Sequence, residues 1–144
     1  MIGGILGLLG VFITLVYSSK LSKDNRTFQE KVHNENLELR KELARKEYQD
    51  KIWLEKHSVL VTLIGARYDF KSKEFIMAFN SVPAVFSESK EILELHRELH
   101  TYILSSSKDK GLTNEKFVAI FKKMFEHLGI EENLVSEDFL RVFN

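Results

Sequence analysis

Apolar and polar residues follow three different rhythms along this chain. From Ile2 to Tyr17 almost every position is apolar, and the first eighteen residues carry no charged side chain. At about 1.5 Å of rise per residue, such a run spans roughly 24–27 Å of hydrocarbon, which predicts a short single-pass transmembrane helix over residues 1–18. An N-terminal apolar stretch also suits a signal peptide, but signal peptides place basic residues ahead of the apolar core. Here Lys20, Lys23 and Arg26 follow it. The span is therefore expected to remain on the protein as an anchor, with the N-terminus out and the C-terminal body in the cytoplasm. Gly3, Gly7 and Gly10 recur at spacings of four and three, so they share a helix face on which a second helix can approach closely. Glycine is also common in membrane helices generally, which is the plainer explanation of the same residues.

The second rhythm is polar. Between Lys20 and Lys56 there are ten basic and eight acidic residues in thirty-seven positions, with no proline or glycine. That composition predicts a long solvated helix, a stalk over residues 19–52, supported by Glu42 to Lys46 and Glu47 to Lys51 at the favourable i,i+4 spacing. A heptad frame puts Leu21, Phe28, Val32 and Leu39 on one seam, but Asn25, Glu35, Glu42, Lys46 and Gln49 occupy the same frame. The stalk is either a weak coiled coil or a single charged spacer helix.

From Trp53 onward the rhythm is that of amphipathic helices around a core, and residues 53–144 are expected to form one small bundle of about four helices. Trp53, His57, Leu60, Val61 and Ile64 share a face of the first. Ser72 is placed to cap a second helix, Phe75 to Phe79, whose nearly all-apolar surface calls for burial, and Pro83 is expected to end it by making Val82 non-helical. Ser87 or Ser89 opens a third, with Ile92, Leu95, Leu99, Tyr102 and Ile103 as its core stripe and Glu88, Glu91, Glu94 and Glu98 outside. Thr113 is expected to cap a fourth, with Phe117, Ile120, Phe121, Met124, Phe125 and Leu128 inward and Gly129 as its stop. A last turn from Ser136 carries Phe139, Leu140, Val142 and Phe143 back onto the core.

Composition narrows the function. The 144 residues contain 21 basic and 21 acidic side chains. This balance lacks the positive field that nucleic-acid binding uses, so nucleic acid is not an expected partner. With no cysteine, disulfides, thiol catalysis and Cys-based metal clusters are excluded. One proline, and seven glycines of which four lie in the first ten residues, suit an all-α chain.

The ordered residues Thr62 to Arg67, Ser72, Phe75 to Asn80, Val85-Phe86 and the helix from Lys90 resemble a family of uncharacterised bacterial helical domains of unknown function, often membrane-anchored. The resemblance covers about residues 53–129 and implies a helical fold, with no activity or ligand to carry over. An aromatic residue tends to stand in that family where this chain has His96, which implies a packing role there. Arg67 and Asn80 match the family's Arg and Asn, and are read as structural polar residues holding helix ends together.

Candidate chemistry is sparse. His96 and His100 stand at i and i+4, a spacing that can chelate a transition metal, but the intervening acid is not placed as in H-E-x-x-H. His96 also lies on the stripe of Ile92 and Leu99, where a hydrogen-bonded core histidine is the commoner outcome. There is no Walker A loop, no G-x-S-x-G and no dinucleotide fingerprint. No cofactor is expected. The reading is a membrane-tethered interaction or regulatory module without catalysis, whose partners are membrane lipid, a second copy and an unidentified protein. A small metal enzyme using His96 and His100, and a purely structural membrane oligomeriser, are the alternatives.

Overall fold

A computed structural model describes residues 2–105, 109–131 and 140, with side chains from residue 7 onward. Among the described residues the chain is all-α, with four helices and no strand: α1 Ile2–Ala66, α2 Lys73–Val85, α3 Lys90–Leu104 and α4 Lys110–His127. It divides into two units, Met1–Glu47 and Tyr48–Asn144.

The first unit is helical along its described length, and every described side chain in it is exposed. Among the described residues no helix is long and apolar enough to cross a membrane. Residues 2–6 contribute no described side chains, so this statement covers the apolar run only from Gly7 to Tyr17.

The second unit is built on the core that 3.6-residue spacing predicts. Leu60, Leu63 and Ile64 of α1, Phe75, Phe79 and Val82 of α2, Ile92 and Leu99 of α3, and Phe117, Ile120, Phe121 and Met124 of α4 are all buried together. Five phenylalanine contacts knit three segments: Phe70 stacks on Phe117 at 5.1 Å and meets Phe75 at 5.5 Å, Phe75 meets Phe79 at 5.5 Å and Phe117 at 6.0 Å, and Phe117 meets Phe121 at 5.6 Å. Helices α3 and α4 are antiparallel. Lys116 pairs with Glu98 at 3.5 Å and Lys123 with Glu91 at 2.5 Å, so numbers rise on one helix as they fall on the other. Leu140 is buried in the same core, while Phe139, Val142 and Phe143 lie outside the described residues.

The helix N-caps follow local chemistry with one change from expectation. Ser72 Oγ accepts from Phe75 N at 3.2 Å and Ser89 Oγ from Ile92 N at 3.4 Å, as N-caps should. At α4 the cap is Asp109, not Thr113, because Asp109 Oδ1 accepts from Leu112 N at 2.8 Å. Thr113 is instead buried in the first turn, where its hydroxyl donates to the Asp109 carbonyl at 2.6 Å. An ionised side chain at the N-terminus also complements the helix dipole, which gives Asp the advantage over Thr. Tyr102 Oη braces the same turn, accepting from Asp109 N at 2.7 Å and donating to the Asp109 carbonyl at 2.9 Å. At the other end of α4, Gly129 takes φ +70°. Gly129 N then donates to Glu126 O and Ile130 N to Phe125 O, the paired bonds of a Schellman stop.

Two expectations about faces are corrected. Val61 is exposed, and the buried stripe of α1 in this unit runs instead through Lys56, Leu60, Leu63 and Ile64, with Arg67 buried just past the helix end. Ile76 and Met77 are also exposed, so α2 buries one face rather than its whole surface.

Candidate functional site

Pro83 does not end α2. It sits inside the helix, and Val82 is helical and fully buried. A proline within a helix has no N–H for the carbonyl four residues back, here Phe79 O, and an unpaired carbonyl near the core is unfavourable by about 1–3 kcal/mol. His96 resolves this from the next helix: its Nε2 lies 2.9 Å from Phe79 O. A carbonyl only accepts, so Nε2 must carry the proton and donate. The imidazole also packs on the Phe79 ring at 4.2 Å between centroids. Burial holds the His96 pKa below its ordinary value of 6.5; the bond to Phe79 opposes this shift, and the nearby His100 adds to it.

This geometry decides what the histidine pair can do. His96 and His100 lie parallel with centroids 6.4 Å apart, and the Nε2 of His96 is occupied by the carbonyl. Among the described residues no group of three His, Asp or Glu side chains is placed to hold a metal ion. His96 therefore acts as the missing helix donor. The same corner is lined by Asn80, Pro83, Leu93, Arg97 and His100.

A second polar constellation is absent from the sequence reading. Lys56, 7 % exposed, lies in the buried stripe of α1. Its ammonium donates to Glu88 Oε1 in the α2–α3 turn and lies 3.1 Å from Nε2 of His127 on α4, which is itself 3.2 Å from Glu88 Oε1. Phe86 completes the enclosure, with Lys56 Nζ 5.7 Å above its ring and the His127 ring edge-on to it at 5.6 Å. The hydrogen bond from Lys56 holds the Glu88 carboxyl down at about 2, against a smaller opposing effect of burial and with help from its own backbone N–H and from His127. A charge in a core stripe requires such a partner. Beside it, Trp53 Nε1 donates to Leu128 O at 3.0 Å, so α1 is pinned twice to the end of α4. The cluster works as an ion-pair latch joining three segments. The sequence signal that could have revealed it is Lys56 itself, four residues before Leu60 on an otherwise apolar face.

Arg67 is buried; its guanidinium donates to Ile64 O and to Tyr68 Oη and stacks over the Tyr68 ring at 4.1 Å. Asn80 is exposed on α2. In the first unit Leu21, Phe28, Val32 and Leu39 are exposed, and Gly7 and Gly10 have open space where a side chain would stand; the side-chain position of Gly3 lies outside the described residues.

Comparison with protein-family models, curated proteins and solved structures finds no match.

Proposed function

We propose that this protein is an inner-membrane interaction module of a bacterium: the N-terminal part of α1 inserts in the bilayer, the charged part forms a stalk, and the helical domain from Tyr48 onward meets protein partners. It has no catalytic activity of its own in this reading. The observation that carries it is the surface of α1 from Leu8 to Val16, where Leu8, Leu9, Val11, Phe12, Ile13, Leu15 and Val16 are all more than half exposed. Leaving seven large apolar side chains in water is unfavourable by about 1.5–3 kcal/mol each relative to burial, so they need a cover, and lipid matches an apolar surface that runs right round a helix. Ile2 to Leu6 extend the uncharged run to the length of a short span, and Lys20, Lys23 and Arg26 set the orientation with the domain on the cytoplasmic side.

Flotation of membranes carrying the full chain tests the anchor. Wild type should float with lipid and resist alkaline extraction, and Phe12→Lys should release a large share of it. Recovery of wild type in the alkaline supernatant would overturn the anchor. A reporter fused after Asn144 should behave as cytoplasmic, and an exported reporter would overturn the orientation. Co-purification from membranes then identifies the protein partner.

A further inference from the structure

From the stalk surface we infer that its occupant is a second copy of this chain, packed parallel and in register along Leu21, Phe28, Val32 and Leu39. The inference deepens the anchored-module reading and takes its shared orientation from it. These four side chains are exposed, Phe28 by 65 %, and among the described residues of the first unit every side chain is exposed. At 3.6 residues per turn they fall within about 20° of one line down the helix, and Gly7 and Gly10 fall within about 40° of that line. Each glycine in a helix interior is unfavourable by about 1 kcal/mol relative to alanine. Among the described residues no neighbouring atom lies within 4 Å of where a side chain would stand at Gly7 or Gly10, and neither takes a positive φ, so packing among those residues gives no reason for them. A second helix on the same line does.

Charge selects the direction. In a parallel pair each charge beside the seam faces an uncharged residue of the second copy: Asp24 faces Gln29, Lys31 faces Asn36 and Glu38 faces Leu43. Turned antiparallel over the same overlap, Lys31 meets the second copy's Lys31 and Asp24 meets its Glu38, which are like charges. In the parallel register Asn25 meets Asn25 on the seam, a pairing that favours two in-register strands. On the seam itself the parallel register also sets Glu35 against Glu35, a like-charge contact that Lys31, 4.0 Å from Glu35, offsets. The seam from Leu21 to Leu39 is shorter than the roughly three to four heptads that sustain a coiled coil unaided. Two copies anchored in one bilayer overcome this, because tethering raises the effective concentration of one stalk at the other.

The chain has no cysteine, so single cysteines report symmetric contacts without background. Asn25→Cys, Phe28→Cys and Val32→Cys in the full chain, oxidised with copper-phenanthroline, should form disulfide dimers efficiently. Lys23→Cys and Glu30→Cys on the opposite side should form at least about five-fold less. Adding Phe28→Glu should reduce the Val32→Cys dimer by a similar factor. Equal yields around the helix, a maximum at Lys23 or Glu30, or no dimer at any position would each overturn the proposal. Cross-linking is scored in whichever fraction holds the protein, so membranes that float without dimers reject the pairing and leave the anchor standing. Protein that fails to float rejects the anchor, and with it the co-tethering on which the pairing depends.

Discussion

Helix α1 meets its surroundings in two ways along its length. In the first unit its apolar residues Leu21, Phe28 and Leu39 are more than half exposed, and the ion pairs are surface pairs such as Lys41 with Glu38 at 2.9 Å. In the second unit the same helix buries Leu60 and Leu63 almost completely, and its one buried cation is locked to Glu88. The contrast separates two sources of helix stability. Propensity and i,i+4 pairs contribute a few tenths of a kcal/mol each and suffice only collectively, whereas a buried apolar side chain contributes about 1.5–3 kcal/mol. The second unit has a buried core, while every described side chain of the first is exposed.

The sharpest break of this comparison is core truncation. Phe117→Ala, which empties the centre of the phenylalanine cluster, should destabilise the second unit by about 3–5 kcal/mol in urea unfolding. Leu39→Ala should leave that transition within about 0.5 kcal/mol.

The Pro83–His96 device comes next. His96→Phe keeps an aromatic ring on Phe79 but removes the donor, and should destabilise by about 1–2 kcal/mol. In a Pro83→Ala background the helix regains its own N–H for Phe79 O, so the same change should become nearly neutral. A double-mutant cycle with no coupling would show that the carbonyl does not need His96. The pKa of His96 supplies a pH readout. Its folded value lies below 6.5, so its contribution is complete above pH 6.5 and declines as pH falls below that value. His96→Phe should flatten this part of the stability profile.

The latch is smaller in effect because the Glu88 side chain is 53 % exposed and its attraction to Lys56 is screened. Glu88→Gln should destabilise the second unit by about 1 kcal/mol at neutral pH. With a folded pKa of about 2 against an ordinary 4.5, the Glu88 contribution is complete above pH 4.5 and is lost as pH falls toward 2. Wild type and Glu88→Gln should therefore converge in stability at the acidic end. Parallel curves down to pH 2 would show that Lys56 does not depend on this carboxylate.

Much of the second unit was legible because periodicity and capping are local. The stripes of α3 and α4, the caps Ser72 and Ser89, and the stop at Gly129 depend on residues a turn or two apart, and each stands where the spacing indicates. Apart from the α4 cap, where Asp109 stands four residues ahead of Thr113, the differences lie where a distant group changes a local rule. Pro83 was expected to end α2 because its missing bond is a local fact, but the compensating imidazole is on another helix. Val61 and Leu60 are adjacent and equally apolar, and only the placement of neighbouring helices decides which is covered.

The sequence by itself determined the helical class, the uncharged N-terminal run, the charged stretch of α1 and the apolar stripes that fold the second unit. Those properties follow from side-chain type and a fixed 3.6-residue period, which no tertiary contact alters. Tertiary structure alone decided that His96 serves as the amide Pro83 lacks, and that Lys56, Glu88 and His127 converge although 32 to 71 positions separate Lys56 from the other two. Hydrogen bonds require atoms within about 3 Å. Proximity between residues so far apart in the chain comes only from how the helices pack.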